Sequence, residues 1–286
     1  MSRPKWHDEC ISAVHSYYAF LSKFYIDPTS IISPPPAGWP SITPSSMSAL
    51  DKSSAVISVL QHLPYLLADP SFRPEIAPLC KMADWNCLAE DLRNGYAAAD
   101  VLTLTQGYEG RFGGKIPRHC VGLTVGGRDF ECWMLDTEEG FIYWFDCPDK
   151  LVELCDPRPA GEIEEEEVGA EGQEDKQDQE TCGAGEDDDC DEEEGSNSDS
   201  EEYNILSGHP YWTPHDFFAM LKNHAKALNL IPINAMEVAD AVSPNGLSGT
   251  ERELLETVFR KHGWPDLERY QKEACLKEAA EVFKGM

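Results

Sequence analysis

The chain has 286 residues and a formal net charge of −29, because 52 acidic side chains outnumber 23 basic ones. Residues 161–202 alone hold 21 acidic residues and one lysine, so the remaining 244 residues carry a net charge of only −9. A hydrophobic fraction of 41% excludes a fibrous protein and a fully disordered chain. The acidic balance excludes a basic nucleic-acid-binding protein. The length suffices for one large domain or two small ones.

The sequence predicts a soluble protein of a reducing compartment, the cytoplasm or the nucleus. Residues 1–9 carry mixed charges and lack the apolar stretch of a secretory signal. The longest uncharged stretch, residues 28–50, contains six prolines and six serines, so it cannot cross a membrane as a helix. The ten cysteines are therefore expected as thiols.

The N-terminal part predicts three helices separated by proline-rich connections. Apolar residues recur at three- and four-residue spacing over residues 7–26, which is typical of an amphipathic helix that ends before a proline. Residues 33–40 are expected to be extended and partly polyproline-like, with Trp39 as a candidate anchor. Two shorter helices are predicted over residues 53–62 and 82–91.

The strongest strand signals lie between residues 120 and 145 and predict an antiparallel meander. Residues 120–125 alternate, Gly126-Gly127 permits the positive φ angles of a tight hairpin, and strands over residues 130–135 and 141–145 follow. Both faces of the second and third strands are apolar, so the sheet is expected to be covered on both sides. This sheet is the predicted centre of the fold.

Three further helices are predicted near the C-terminus. Thr213 is the expected N-cap of the first, with Pro214 at the first helical position. The second is expected to begin at Thr250, with Glu253 completing a capping box, and to end at Gly263. The third is expected over residues 266–283.

Residues 161–202 contain six apolar residues among 42, too few to offset the entropy of ordering, and they are predicted to be disordered. Loop-closure entropy grows only with the logarithm of length, so such an insertion costs about 1–3 kcal/mol. The sequence therefore predicts one discontinuous α+β domain, residues 1–160 and 203–286, rather than two domains joined by a linker. Its antiparallel meander would be wrapped by the N- and C-terminal helices.

The residue patterns indicate neither a metal site nor a cofactor. The sequence has no C-x-x-C pair, and the adjacent His119 and Cys120 are expected to point to opposite faces of a strand. Asp187, Asp189 and Asp191 match the first ligand positions of an EF-hand loop, but the required glycine and the final glutamate are absent. No catalytic, cofactor-binding or metal-binding residues are assigned from the sequence.

One alternative interpretation is a hydrolase or transferase that uses His119, Cys120 or Asp136 in a cleft. Cys120 and Cys132 fit equally well as small apolar residues in strands, and the sequence has neither a G-x-S-x-G elbow nor a cysteine-protease signature. A concave pocket that gathers a histidine, a cysteine and a carboxylate would favour the enzyme. A convex sheet face would favour a binding protein.

The acidic stretch suggests a class of partner and a modification. Opposite charges raise encounter rates, so an acidic chaperone of basic proteins is a further alternative, beside a solubilising stretch that has no partner. Ser196 and Ser198 each have an acidic residue three positions later. That spacing predicts phosphorylation by kinases that prefer acidic sites.

Residues 126–142 resemble the central hairpin of the SUKH superfamily, which includes fungal cell-wall regulators and bacterial toxin-immunity proteins. The similar features are a glycine-rich turn, an aromatic strand that ends in Leu-Asp, and a second turn that contains glycine. Residues 216–221, with an aromatic pair followed by leucine, are similar to the closing helix of that family. Leu63-Pro64-Tyr65 and Gly263-Trp264-Pro265 also resemble segments of a group of fungal proteins. The resemblance implies an α+β binding module without catalytic residues.

The favoured function is a non-catalytic protein–protein interaction module with a regulatory or scaffolding role. The expected partner is a protein, basic in one interpretation, and neither nucleic acid nor a membrane. Aromatic anchors dominate binding energy at interfaces, so the predicted contact residues are Trp39, Trp133, Asp136, Trp144 and Trp212. The alternative for each tryptophan is packing in the core.

Overall fold

A computed structural model of the chain describes residues 4–66, 73–107, 115–126, 131–160 and 205–285. It confirms the predicted α+β class, since helices surround several antiparallel sheets. Residues 161–202 lie outside the described residues, so their disorder and the phosphorylation of Ser196 and Ser198 stay predictions. The predicted Gly126-Gly127 hairpin also falls partly outside them.

Helices and short strands are interspersed along the chain. The described helices are α1 (Lys5–Phe24), α2 (Ser54–His62), α3 (Trp85–Arg93), α4 (Ala98–Gln106), α5 (Asp149–Glu153), α6 (Pro214–Ala227), α7 (Gly249–Lys261) and α8 (Lys272–Lys284). The described strands are β1 (Ile31–Ile32), β2 (Tyr65–Leu66), β3 (Glu75–Ala77), β4 (Cys80–Met82), β5 (Cys120–Gly122), β6 (Thr124–Val125), β7 (Cys132–Asp136), β8 (Phe141–Phe145), β9 (Tyr211–Trp212), β10 (Leu230–Pro232) and β11 (Val238–Asp240).

Local capping explains where the short N-terminal helices begin. Ser53 caps α2 by accepting a hydrogen bond from the Val56 amide (3.3 Å), and Asp84 caps α3 by accepting one from the Cys87 amide (3.1 Å). Helix α3 begins later than the predicted residue 82 because strand β4 occupies residues 80–82. Helix α4 is absent from the predicted elements, since leucine and threonine alternate over residues 102–105 as they do in a strand.

The central sheet has the strand order β5-β7-β8-β9, and every neighbouring pair is antiparallel. The meander of β5, β7 and β8 is confirmed, but the predicted single strand over residues 120–125 is wrong. Thr124 and Val125 leave the central sheet to pair with β4. The Thr124 hydroxyl instead accepts a hydrogen bond from the Trp133 amide (3.0 Å), which holds the break beside β7.

Apolar residues cover both faces of the central sheet, as predicted. On one face, the rings of Trp133 and Trp144 lie 5.7 Å apart, and Phe217 of α6 packs on them at 4.9 and 6.0 Å. The other face forms a smaller cluster, which includes Cys120, Cys132, Met134, Phe145, Ile205 and Leu206. The sheet therefore lies in the interior. Its edge strand β9 follows residues 161–204 in the chain and pairs with β8.

Helix α6 begins as predicted and joins the two parts of the chain that flank residues 161–204. Thr213 accepts a hydrogen bond from the Asp216 amide (3.2 Å), and Pro214 occupies the first helical position. Phe217 packs on the sheet, and Phe218 packs against Tyr17 of α1 with ring centres 5.1 Å apart. One hydrophobic core thus contains side chains from both flanks.

The C-terminal helices form with shifted boundaries. The capping box of α7 consists of Ser248 and Glu251 rather than Thr250 and Glu253, because the Glu251 carboxylate accepts from the Ser248 amide at 2.7 Å. Helix α8 begins at Lys272, whereas the prediction placed its start at residue 266. Residues 266–270 form a turn instead.

Candidate functional site

The four tryptophans predicted to contact a partner are buried in the core. Trp133 is 0% exposed, Trp144 and Trp212 are 1% exposed, and Trp39 is 9% exposed. Trp39 donates its indole N–H to the carbonyl oxygen of Leu63 at 2.8 Å. Direct contact between these tryptophans and a partner is therefore corrected to core packing, because α6 covers the sheet face that three of them share.

Asp136, the fifth predicted contact residue, is also buried, with 2% of its surface exposed. It ends β7, where Cys120 of β5 and Phe141 of β8 are its cross-strand neighbours. Its carboxylate accepts hydrogen bonds from the amides of Glu138 (2.8 Å) and Glu139 (3.2 Å). The side chain therefore closes the turn after β7 and does not lie on an open surface.

His119, Cys120 and Asp136 form one polar cluster, which corrects the expectation that the first two point apart. One side-chain ligand atom from each residue lies within 4.8 Å of the others. His119 precedes β5 and lies in a turn, so the alternation of strand side chains does not apply to it. Its Nε2 atom is 3.9 Å from Asp136, and its Nδ1 atom is 3.4 Å from Glu138.

The surroundings of Cys120 do not activate it as a nucleophile. Burial raises the pKa of this thiol to about 12, and the negative charge of Asp136 adds to the rise. A nucleophilic cysteine needs the opposite environment, one that lowers its pKa and supplies thiolate. Lys52 lies nearby, donates to the carbonyl of Pro117 at 3.4 Å, and has its pKa lowered to about 8 by burial.

The structure contains a second cysteine–histidine pair, which was not predicted from the sequence. His224 of α6 lies 3.6 Å from the Cys155 sulfur through Nε2, and its Nδ1 atom lies 3.0 Å from the Asn229 amide nitrogen. The Cys155 thiol donates to the carbonyl of Leu151 at 3.2 Å. Both Cys155 and His224 are buried, so the group acts as an internal polar link between α5 and α6. No local sequence signal joins residues 69 positions apart.

The His224 link predicts acid sensitivity. Burial lowers the pKa of this imidazole, and Asp240 opposes the shift only partly. A histidine whose pKa falls on folding binds fewer protons in the native state, so stability should decline as the pH falls below the ordinary histidine value of about 6.5. His224→Gln should reduce this decline, measured by urea unfolding between about pH 7.5 and 5.5. His215→Gln, at an exposed position of the same helix, should retain the wild-type slope.

The largest depression given for the described residues belongs to an apolar groove with an acidic rim. One depression of about 760 Å³ lies between the β3–β4 turn, α5 and the loop after β11, with Trp144 and Leu151 in its lining. A second depression, of about 660 Å³, shares Asp149 and Glu153 with the first. We call the two together the acidic groove. Its acidic lining residues are Glu131, Asp146, Asp149, Glu153 and Asp240, and its basic lining residues are Lys150 and His209.

The rim of the acidic groove carries an exposed leucine in an unfavourable backbone conformation. Leu79 occupies the two-residue turn between β3 and β4, has a φ of 58°, and is 60% exposed. The left-handed region costs a residue other than glycine about 1–2 kcal/mol. Strained residues of this kind cluster at binding sites. An apolar, solvated side chain there adds nothing to the packing of the core.

The described residues contain neither a membrane-spanning helix nor a disulfide. Within the described ranges, each helix is too short or too polar to span a bilayer. None of the eight cysteines that the structure describes is in a disulfide. We take the acidic groove and the His119–Cys120–Asp136 cluster as the two candidate sites.

Comparison with models of known protein families, with curated proteins and with solved structures gives no match to this chain. The resemblance to the SUKH superfamily consequently stays a hypothesis, and the function has to be argued from the geometry of the two sites.

Proposed function

We propose that the protein is a non-catalytic interaction module that binds a basic segment of a partner protein in the acidic groove. The observation that carries the proposal is the position of Leu79, an exposed leucine in the left-handed region beside an apolar groove with an acidic rim. The resemblance to the SUKH superfamily also implies a binding module. That resemblance is itself part of the proposal.

The groove chemistry favours a partner that combines apolar and positively charged side chains. Leu79, Val238 and Leu247 line its apolar part. Five acidic residues line the groove, and Lys150 of α5 pairs with one of them, Glu153. A basic segment would place apolar side chains against the lining and its charges against the rim, as complementary interfaces do.

The acidic stretch adjoins this groove in the chain. Pro159 and Ala160, the last described residues before position 161, line the second depression, and so do residues 208–211 on the far side of the stretch. The described residues on both sides of the acidic stretch therefore line the same depression. We expect the 21 acidic residues of 161–202 to raise the rate at which a basic partner arrives, in a manner that salt screens.

The substitution Leu79→Asn tests whether Leu79 contributes to binding or to stability. Asparagine tolerates the left-handed conformation, so the variant should gain about 0.5–1 kcal/mol in the free energy of unfolding. It should also bind a fluorescent peptide of alternating lysine and leucine, about 12 residues long, roughly tenfold more weakly, because a leucine contact is lost. Anisotropy titration and urea unfolding give the two readings. Leu254→Asn, on an exposed helical leucine far along the chain, should leave peptide binding unchanged.

Charge reversal tests the rim. Asp149→Lys with Glu153→Lys should weaken binding of the same peptide about tenfold or more at physiological salt, because repulsion replaces attraction. The matched variant Glu273→Lys with Glu281→Lys makes the same change in net charge on exposed positions of α8 and should have a small effect. Equal losses in both variants would reject the groove. So would a deletion of residues 161–202 that abolishes all binding, an outcome that would favour the acidic chaperone.

A further inference from the structure

The His119–Cys120–Asp136 cluster combines the three ligand types that zinc-like ions prefer, and it lies apart from the residues that line the acidic groove. Imidazole nitrogen, thiolate sulfur and carboxylate oxygen all bind such ions at about 2.0–2.3 Å. We propose that these three residues form a site for one divalent transition-metal ion of the zinc type. Three protein ligands leave one tetrahedral position for water.

The distances require little rearrangement. Ligand atoms around a tetrahedral zinc ion lie about 3.3–3.8 Å from one another. In the structure, His119 Nε2 is 3.9 Å from Asp136 Oδ1, and the three ligand atoms fall within 4.8 Å of one another. Side-chain rotations that close the cluster by about 1 Å therefore suffice. The His119 side chain is 23% exposed, which gives an ion a route from solvent.

The backbone holds the three residues in place. Cys120 and Asp136 are direct cross-strand partners in β5 and β7, and such pairs point to the same face of a sheet. Thr137 donates to the carbonyl of His119 through its amide (3.0 Å) and through its hydroxyl (2.8 Å), which fixes the turn that carries the imidazole. The site is thus built on a rigid sheet end and not on a loop alone.

Glu138 supplies the outer carboxylate that metal-binding histidines usually have. Its Oε1 atom lies 3.4 Å from Nδ1 of His119, on the opposite side of the ring from Nε2. With a small rotation of Glu138, a hydrogen bond from Nδ1–H to this carboxylate would orient the imidazole and make Nε2 the ligand atom. Both amide hydrogen bonds of Asp136 fall on Oδ1, and since a carboxylate has about four acceptor positions over its two oxygens, Oδ2 is the atom that retains room for an ion.

The charges around the cluster also suit a dication. With Cys120 as a thiol, Asp136 and Glu138 contribute two negative charges, which buried Lys52 offsets by one. A divalent ion that displaces the thiol proton would bring the sum of these groups to zero. Metal binding to cysteine releases that proton, since the thiolate is the ligand.

Cobalt titration of the full-length chain tests the proposal. Cys182 and Cys190 are first replaced by serine, so that thiolate ligation reports on the eight described cysteines, and about 0.5 M salt screens the acidic stretch. Reduced, metal-free protein should bind one Co²⁺ per chain with a thiolate-to-cobalt charge-transfer absorption, which Zn²⁺ displaces. His119→Gln should weaken binding about 100-fold or more, and Glu138→Gln about 10- to 100-fold.

Matched variants make the result decisive. Cys120→Ser should abolish the thiolate absorption, whereas Cys87→Ser should not, although Cys87 also lies near a carboxylate, 3.9 Å from Asp91. If circular dichroism shows that Cys120→Ser does not fold, the Co²⁺ affinity of His119→Gln, at a partly exposed position, still tests the site. Binding without thiolate absorption, or full affinity in both His119→Gln and Glu138→Gln, would overturn the site.

Discussion

Replacing Phe217 with alanine should lower the free energy of unfolding by about 3–5 kcal/mol, the range for a fully buried phenylalanine. Phe217 is 0% exposed and contacts the rings of Trp133, Trp144 and Trp212 at 4.9, 6.0 and 5.7 Å. These aromatic contacts join α6 to the central sheet across residues 161–204. The lost transfer free energy and the cavity among three indole rings should both contribute.

Urea unfolding followed by tryptophan fluorescence measures this loss directly, because the three affected tryptophans surround the cavity. Phe283→Ala is the matched control, since Phe283 of α8 is only partly buried at the edge of the core. It should cost less than half as much. Equal losses would mean that the contact of α6 with the sheet does not stabilise the fold.

Gly122→Ala should destabilise the protein by about 3 kcal/mol or more, at or beyond the upper end for overpacked cores. A Cβ atom at Gly122 would lie 1.7 Å from the carbonyl oxygen and 2.7 Å from the carbonyl carbon of Thr105. The obstacle is the backbone of α4, which cannot rotate away as a side chain does. Strand β5 and α4 would have to separate, and with them the cluster that contains Cys120.

Gly249→Ala is the control for this substitution. A Cβ atom at Gly249 meets no atom within 4 Å, and the residue starts α7. Alanine there should leave stability unchanged or raise it by about 0.4–1 kcal/mol, because it reduces the entropy of the unfolded chain. Thermal unfolding of both variants at one pH makes the comparison. A small loss for Gly122→Ala would contradict the close approach of α4 and β5.

The elements that were predicted well from the sequence are those whose own residues show a clear local pattern. Helices α1 and α6 combine helical periodicity with a proline or a cap at one end, and β8 consists of five consecutive apolar residues that fit a buried strand. The break after Gly122 had no such signal. It depends on the pairing of Thr124 and Val125 with β4, whose paired residues lie 42 and 44 positions away and which periodicity does not encode.

The candidate sites depend on the same kind of distant information. Successive side chains of a strand point to opposite faces, so the sequence predicted that His119 and Cys120 point apart. This alternation does not apply to His119, because the residue lies in a turn before β5. The four tryptophans were predicted as contact residues, with packing in the core as the alternative for each. The structure has them in the core, and the cover that α6 gives to the face of three of them is visible only in three dimensions. The left-handed conformation of Leu79 has no sequence signal, because glycine or asparagine is the usual residue there.

The position of β9 has a consequence for protein synthesis. Strand β8 is finished at residue 145, yet its edge partner begins only at Tyr211, so the hydrogen-bonding edge of β8 stays open while the ribosome adds the residues between them. At about 5–20 residues per second, that interval lasts roughly 3–13 s. Open strand edges invite pairing with other chains. The segment made during this interval carries a net charge of −20 over residues 161–202, so like-charge repulsion should keep neighbouring nascent chains of a polysome apart until Tyr211 and Trp212 close the sheet.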